Sequence, residues 1–204
     1  MCTGRVDPSF VITAFKEMAD GIIIVGCLPG ECHYTTDGNI HAYGMTLILK
    51  KILKFIGIEP ERLRMEFLSS AEGVKFAEVM QDFINEMRKL GPIGKKEGLQ
   101  EEMIVERLSV VLSLIPYLKL VERERLGFSG KDVKKMKEYF ESTDVNRMRE
   151  ELIFEKITMG LILKAKRKGL HGYGELAKRT SQDEKQVFRM VSELEAQGFL
   201  RPGI

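Results

Sequence analysis

The sequence predicts an α/β fold: a small parallel sheet with flanking helices, then an all-α region ending in a helix-turn-helix-like unit. Three observations carry this reading. Strand-like and helical segments alternate as far as Pro92. The run Ile22-Ile23-Ile24-Val25 has the unbroken β-branched character of a parallel strand buried on both faces. Beyond Leu99 the strand signals stop while helical periodicity continues.

Asp7 followed by Pro8 is a helix start, a capping carboxylate and then a proline where no donor is needed. Phe10, Val11, Ala14, Phe15 and Met18 follow at helical spacing, and the helix should end near Ala19. Gly21 introduces the strand. A second helix is predicted from about Met45 to Ile56, with Ile48, Leu49, Ile52, Leu53 and Ile56 on one face and Gly57 as its stop. Arg64 to Leu68 reads as the next strand. A third helix, about Ala71 to Leu90, should bury Phe76, Ala77, Met80, Phe83, Ile84 and Met87, and Gly91-Pro92 closes a domain over 1–92. Strands alternating with helices at this spacing mean a parallel sheet.

Residues 93–99, with two glycines and Lys95-Lys96, read as a linker. Helices are then predicted over Gln100 to Leu126, Gly130 to Glu141 and Val145 to Lys168, making a helical region over 100–168, with a compact last unit over 169–204. The apolar side of Glu101 to Tyr117 suits core packing or a partner, and Val133-Lys-Lys-Met-Lys137 suits a solvated face.

Lysines and arginines number 32 against 30 aspartates and glutamates, a formal charge of +2 that gives no bulk attraction to nucleic acid or membrane. The most apolar stretch, Val110 to Leu118, is too short to span a bilayer and contains Pro116, and the first residues lack a signal peptide's pattern. A cytoplasmic protein with no membrane partner is expected. Three cysteines, two of them close together in Cys27-Leu-Pro-Gly-Glu-Cys32, argue against a secreted disulfide scaffold and for metal or thiol chemistry.

Cys27 sits where the predicted strand runs out, and open α/β sheets carry their functional crevices at the carboxyl ends of their strands. Cys2, before a short turn containing Gly4, should mark the end of a preceding parallel strand and lie along the same edge as Cys27 and Cys32. Spacing alone leaves buried structural cysteines, zinc and iron-sulfur ligation all open. Gly26 and Gly30 would let backbone amides approach a cluster's sulfides. His33 is either a weak fourth ligand or a solvent-facing neighbour, and Arg5 either faces an anionic cluster or pairs with Asp7. His41 and Tyr43, in a loop, and His171, before a turn, read as surface polar residues.

The segments Cys2-Thr-Gly-Arg-Val-Asp-Pro-Ser-Phe-Val11, Ala19-Asp-Gly-Ile-Ile-Ile-Val-Gly-Cys27 and Pro29-Gly-Glu-Cys-His-Tyr34 closely resemble the delta subunit of methyl-viologen-reducing hydrogenase. Gly57-Ile-Glu-Pro-Glu-Arg-Leu-Arg64 and Ser69 to Phe76 continue the likeness, which covers about Cys2 to Pro92. The resemblance implies a [2Fe-2S] cluster held by Cys2, Cys27 and Cys32. It also implies electron relay from a hydrogenase or formate dehydrogenase to the flavin subunit of heterodisulfide reductase. Members of that family begin with a further strand, a cysteine-containing loop and a helix, whereas this sequence opens one residue before its first motif cysteine. The missing ligand is expected from another polypeptide, with His33 as substitute or loss of the cluster as the alternatives.

Gly174-Glu-Leu-Ala-Lys-Arg-Thr-Ser181 and Asp183 to Leu200 resemble the helix-turn-helix core of winged-helix proteins. Leu176 and Ala177 would pack on Val187, Met190, Val191 and Leu194. Lys178, Arg179, Lys185 and Arg189 could meet phosphates, and Gln182, Gln186 or Ser192 bases. Asp183, Glu184, Glu193 and Glu195, and a chain that stops at Ile204 before a full wing, favour docking or self-association over DNA. No phosphate-binding glycine fingerprint, Ser/His/Asp set or flavin motif stands out, so independent catalysis is not expected. The reading is an electron-transfer adaptor; the alternative is a redox-responsive DNA-binding regulator.

Overall fold

The computed structural model describes residues 2–34, 38–128 and 132–201. Packing divides the chain into two units, residues 1–148 and 149–204. The first opens with a short 3-10 turn, Thr3–Arg5, and helix α1, Pro8–Lys16. Asp7 caps α1 as its position before proline predicts, accepting the Ser9 amide at 2.9 Å. Its other oxygen takes Lys119 Nζ at 2.7 Å, so Arg5, which is exposed, is not the partner of Asp7.

Burial alone would raise the Asp7 carboxyl, but the hydrogen bonds from Lys119 and Ser9 outweigh it and hold the group at about 2. A depressed carboxyl stabilises the fold in full above its unfolded value of about 3.9. That contribution disappears as the pH falls through about 2. Asp7→Ala should cost about 1 kcal/mol at pH 7, with a smaller difference from the parent near pH 2, read by urea titration at both pH values.

Strand β1, Ile22–Gly26, lies parallel to β2, Leu63–Phe67, with Ile22 opposite Leu63 and Gly26 opposite Phe67. The crossover between them is helix α2, Asn39–Phe55. Its periodic face, Ile48, Leu49, Ile52 and Leu53, is almost wholly buried. Gly57, at φ +80°, ends it with the left-handed turn that glycine adopts without strain. Arg107 also donates to the Ile56 carbonyl there at 2.7 Å. The helix begins six residues before the predicted Met45. His41 and Tyr43 are therefore helical residues, His41 Nδ1 lying 3.4 Å from Glu122 and Tyr43 packing on Phe67, instead of loop polar groups.

Helix α3, Gly73–Leu90, is where burial departs most from expectation. Of the six apolar residues predicted inside, only Phe83 is buried, while Phe76 is 48% and Ile84 40% exposed. Ile22 to Val25, predicted to be covered on both faces, are half-buried. Periodicity identifies which side is apolar; it does not supply what covers it.

Ile93 to Leu99, whose glycines and lysines carry the linker reading, packs on the first unit with Ile93 buried. The Arg62 guanidinium, fully buried, reaches the Asp20, Gly91 and Pro92 carbonyls at 2.9, 2.9 and 3.2 Å. It also grips Glu97 with two bonds of 2.6 and 3.1 Å.

Helix α4, Glu101–Val121, buries Ile104, Leu108, Val111 and Ile115, so its apolar side is core. It passes into a π-helical turn, Glu122–Leu126. Helix α5, Val133–Glu141, buries Met136 and exposes Lys134, Lys135 and Lys137; Gly130, its predicted start, lies outside the described residues. The first unit ends within α6, Thr143–Arg149.

The second unit holds a π-helical turn, Glu150–Phe154, and helices α7, Glu155–Arg167, α8, Tyr173–Thr180, and α9, Glu184–Ala196. Leu176 packs with Val187, Met190, Val191 and Leu194 as predicted, and Met159, Ile162 and Ala165 of α7 complete this core. Asp183 caps α9 by accepting the Gln186 amide. The predicted end at Ile204 lies outside the described residues. Among the described residues no helix is long and apolar enough to cross a membrane.

Candidate functional site

Cys27 follows the last residue of β1, and a tight turn in which the Glu31 amide donates to the Leu28 carbonyl (3.0 Å) reverses the chain toward Cys32. This loop is fixed by Asn39, the first residue of α2, which sequence reasoning passed over as loop. Its side chain is buried and its amide nitrogen donates to the carbonyls of Cys27 (2.6 Å) and Leu28 (3.1 Å). The signal was present: the apolar period of α2 extends back through Ile40, which makes Gly38-Asn39 a helix start.

On the other side, Cys2 precedes the Thr3–Arg5 turn, and the Thr3 hydroxyl donates to the Val25 carbonyl at 2.9 Å, pinning this segment beside the end of β1. The two arrangements bring Cys2 Sγ to 3.6 Å from Cys32 Sγ. Cys27 lies near enough that it and Cys32 shift each other's pKa. All three cysteines are free and half-buried.

Cys32 is the centre of this group electrostatically as well. The backbone amide of Asn39, at the start of α2, donates to its sulfur and lowers its pKa; the Tyr34 amide and the neighbouring thiols add to this, against the opposing effect of burial. For Cys27, burial, then the hydrogen bond and charge of Cys32, push the pKa up. Of the three thiols, Cys32 is thus the one whose surroundings favour the thiolate, and Cys27 one whose surroundings oppose it. A thiolate is what a metal requires, and binding at Cys27 must expel a proton.

Gly38 makes the room. A Cβ there would fall 2.2 Å from the Tyr34 carbonyl oxygen and 2.4 Å from Cys32 Sγ. Gly38→Ala should leave the helical circular dichroism intact yet reduce the iron retained after anaerobic reconstitution roughly tenfold, the scale of losses when a ligand's support is disturbed. Retention equal to the parent would show that the loop yields without moving the sulfur.

The fit to a metal group can be tested on these distances. Sulfurs bound to one tetrahedral metal at about 2.3 Å stand about 3.8 Å apart, against 3.6 Å for Cys2 and Cys32. Among the described residues, no three His, Cys, Asp or Glu side chains gather closely enough to hold a single ion. The Cys2–Cys32 spacing is thus compatible with two thiolates on one metal atom. Cys27 also lines a cavity of about 670 Å³ at the strand ends, with Val25, Gly26, Leu68, Ser69 and Phe76.

His33 is not brought into this group; it is exposed, its ring edge-on to Tyr34 at 5.2 Å. A larger cavity, about 1390 Å³, lies between other elements and is lined by Phe10, Phe140, the Asp7–Lys119 ion pair and the His41–Glu122 contact. In the second unit, Lys178, Lys185 and Gln186 lie on the surface of α8 and α9, but Arg189 is bound to Glu155 at 2.7 Å. Phe188, 57% exposed, stands on the same helix with Tyr173 at 5.5 Å.

Comparison with known proteins places a likeness on this first segment. Residues 1–91 match a family model described as methyl-viologen-reducing hydrogenase, delta subunit. The iron-sulfur subunit of the F420-non-reducing hydrogenase of Archaeoglobus profundus is 50% identical over 91 residues, 45% of this chain and 66% of that protein. The iron-sulfur subunit of the vhc F420-non-reducing hydrogenase of Methanococcus voltae is 44% identical over 98 residues, 48% of this chain and 67% of its own length. One subunit of the Ferredoxin:CoB-CoM heterodisulfide reductase of Methanosarcina mazei is 43% identical over 96 residues, 47% of this chain but 12% of that protein. This chain thus spans just under two thirds of the Archaeoglobus relative and about an eighth of the reductase polypeptide.

Proposed function

Since the chain belongs, through residues 1–91, to the family of methyl-viologen-reducing hydrogenase delta subunits, we propose that it is an iron-sulfur electron-transfer subunit whose cluster is held by Cys2, Cys27 and Cys32. The observation that carries this is the approach of Cys2 Sγ to 3.6 Å from Cys32 Sγ, with Cys27 close enough to perturb Cys32, at the carboxyl end of the sheet. A [2Fe-2S] cluster supplies a reversible one-electron store. The residues prepare for it: Asn39 orients both Cys27 and Cys32, and the amides that lower the Cys32 pKa favour the thiolate that metal binding needs. Three thiols supply three positions of a four-ligand set.

The proposed route runs from a hydrogenase or formate dehydrogenase through this protein to the flavin subunit of a heterodisulfide-reductase-like complex in the cytoplasm. Its support is that the matched segment recurs both in hydrogenase iron-sulfur subunits and within a heterodisulfide reductase polypeptide. The regulator alternative gains no such support, and Phe188 on the surface of α9 together with Glu184, Glu193 and Glu195 suits a duplex poorly.

Anaerobic reconstitution followed by iron and sulfide assay and electron paramagnetic resonance tests the proposal. About two irons and two sulfides per chain with a signal that appears on reduction are expected. A colourless, iron-free protein, even with a candidate partner present, would sink it. Salt-sensitive, sequence-selective duplex binding that changes with oxidation would instead establish the regulator.

A further inference from the structure

The cavity of about 1390 Å³ belongs wholly to the first unit, and none of the three cysteines lines it. Its wall is apolar on the inside. Met45 of α2 and Met136 and Phe140 of α5 are buried from bulk water yet face the hollow. The two helices meet beside it, where a Cβ on Gly44 would fall 3.3 Å from Phe140 Cε2. At the mouth stand Phe10 of α1, 64% exposed, and Leu120 of α4, 49% exposed. Large apolar side chains left in water at the rim of an apolar hollow are stabilised by whatever covers them, and small-molecule pockets are lined in this way.

The charges on the wall are not balanced. Its two carboxylates are already engaged, Asp7 with Lys119 at 2.7 Å and the Ser9 amide, Glu122 with His41 at 3.4 Å. Two guanidiniums are not. Arg5 is exposed and makes no ion pair or side-chain hydrogen bond among the described residues. Arg123 reaches only the adjacent Glu124, at 2.9 Å, and both are exposed, so that pair holds it weakly. The uncommitted charge facing the cavity is therefore positive. Helix α4 is also irregular where it runs along this wall: Pro116 interrupts its hydrogen-bond ladder, and the π-helical turn Glu122–Leu126 follows, a distortion that clusters at functional sites.

We propose that this cavity is a binding site for a small aromatic anion, its rings laid against Phe10, Phe140 and the two methionines and its carboxylate, sulfonate or phosphate end held by Arg5 and Arg123. Aromatic rings suit the wall better than an alkyl chain does, because thioether sulfurs and guanidinium planes both gain from contact with a ring. The volume exceeds the roughly 300–1,000 Å³ of ordinary ligand pockets, so a body of two or three fused rings fits. The site is independent of the iron-sulfur reading.

Fluorescence titration of the full, metal-free chain tests it, with anilinonaphthalene sulfonate as the anionic probe and N-phenylnaphthylamine as its uncharged counterpart. The parent should bind one sulfonate per chain, saturably and about tenfold more tightly than the uncharged probe, the scale of one hydrogen bond to a charged group. Arg5→Gln/Arg123→Gln should lose that preference while keeping the parent's affinity for the uncharged probe. Phe10→Ser/Leu120→Ser should weaken both probes about tenfold. All four changes fall on exposed positions, and circular dichroism should match the parent. No saturable binding by the parent overturns the site, as does unchanged binding by Phe10→Ser/Leu120→Ser, which would put the probe elsewhere. Equal affinity of the parent for the two probes, or a preference that survives in Arg5→Gln/Arg123→Gln, overturns the anion's place at the two arginines. Displacement of the probe by an equal concentration of octanesulfonate overturns the aromatic assignment.

Discussion

Arg62→Met should destabilise the first unit by about 3–5 kcal/mol, because it removes one partner of a buried, hydrogen-bonded ion pair and strands the other. At about 2–4 °C per kcal/mol for a chain of this size, the midpoint of thermal unfolding falls by roughly 6–20 °C. Both side chains are out of water, Arg62 at 0% and Glu97 at 2% exposure. The loss extends beyond the pair, since the guanidinium also serves the carbonyls of Asp20, Gly91 and Pro92, which tie the turn before β1 to the end of α3 and the segment after it. Adding Glu97→Leu to Arg62→Met removes the stranded carboxylate but leaves those three carbonyls unserved, so recovery should be partial.

The pH dependence of this variant follows from the same contacts. In the parent, burial pushes Glu97 up but the Arg62 hydrogen bonds and charge, with backbone amides, hold it below its ordinary value. It therefore stabilises the fold above the unfolded carboxyl value of about 4.3, and that contribution is lost on acidification. Without Arg62, burial is opposed by far less, the folded value rises, and the group destabilises as the pH climbs through it. The gap between parent and variant should thus be widest near neutrality and shrink below about pH 4. Denaturant titrations at pH 7 and pH 4 measure it, and a gap that stays constant would mean that Glu97 is not the group responsible.

Arg62 also illustrates what could be read from the sequence. Local features announced themselves: a capping aspartate before Pro8, four β-branched residues in a row, and the helical spacing of Ile48, Leu49, Ile52 and Leu53. Each is a statement about neighbours within one turn or one strand. The Arg62–Glu97 contact joins residues 35 apart, and nothing local marks an arginine that will be buried. Residues 93–99 were legible as composition but not as packing for the same reason. The start of α2 was obscured because Gly38, Asn39 and Gly44 are loop-like in isolation. Gly38 is there to admit Cys32 Sγ, and Asn39 to hold the turn that carries it. The cysteines stood out by residue type and by their position after a strand. Their order of importance did not, because the Asn39 amide that most lowers Cys32 belongs to a helix start obscured by its loop-like residues.

That ranking leads to the sharpest expected result at the site. Cys32→Ala should abolish iron retention, while Asn39→Ala should only weaken it. A structural four-ligand metal site is worth about 10–16 kcal/mol, or about 2.5–4 kcal/mol per ligand, so removing one costs roughly two to three decades of affinity. Cys32 costs more than its share, because Cys2 lies 3.6 Å from its sulfur and Cys27 is perturbed by Cys32 more than by Cys2. Without it the remaining thiols lose both their common neighbour and the member of the group whose pKa is lowered. Asn39→Ala keeps the backbone amide that reaches Cys32 and deletes only the bonds to the Cys27 and Leu28 carbonyls, a change of the class that costs about 10–100-fold. Iron per chain after gel filtration at a series of chelator concentrations separates the two effects, and Arg62→Met, measured well below its melting temperature, should retain iron like the parent. Equal retention by Cys32→Ala and the parent would place the iron elsewhere and remove the three-thiol site; a loss from Asn39→Ala as complete as that from Cys32→Ala would mean that the loop, and not the thiolate, decides binding.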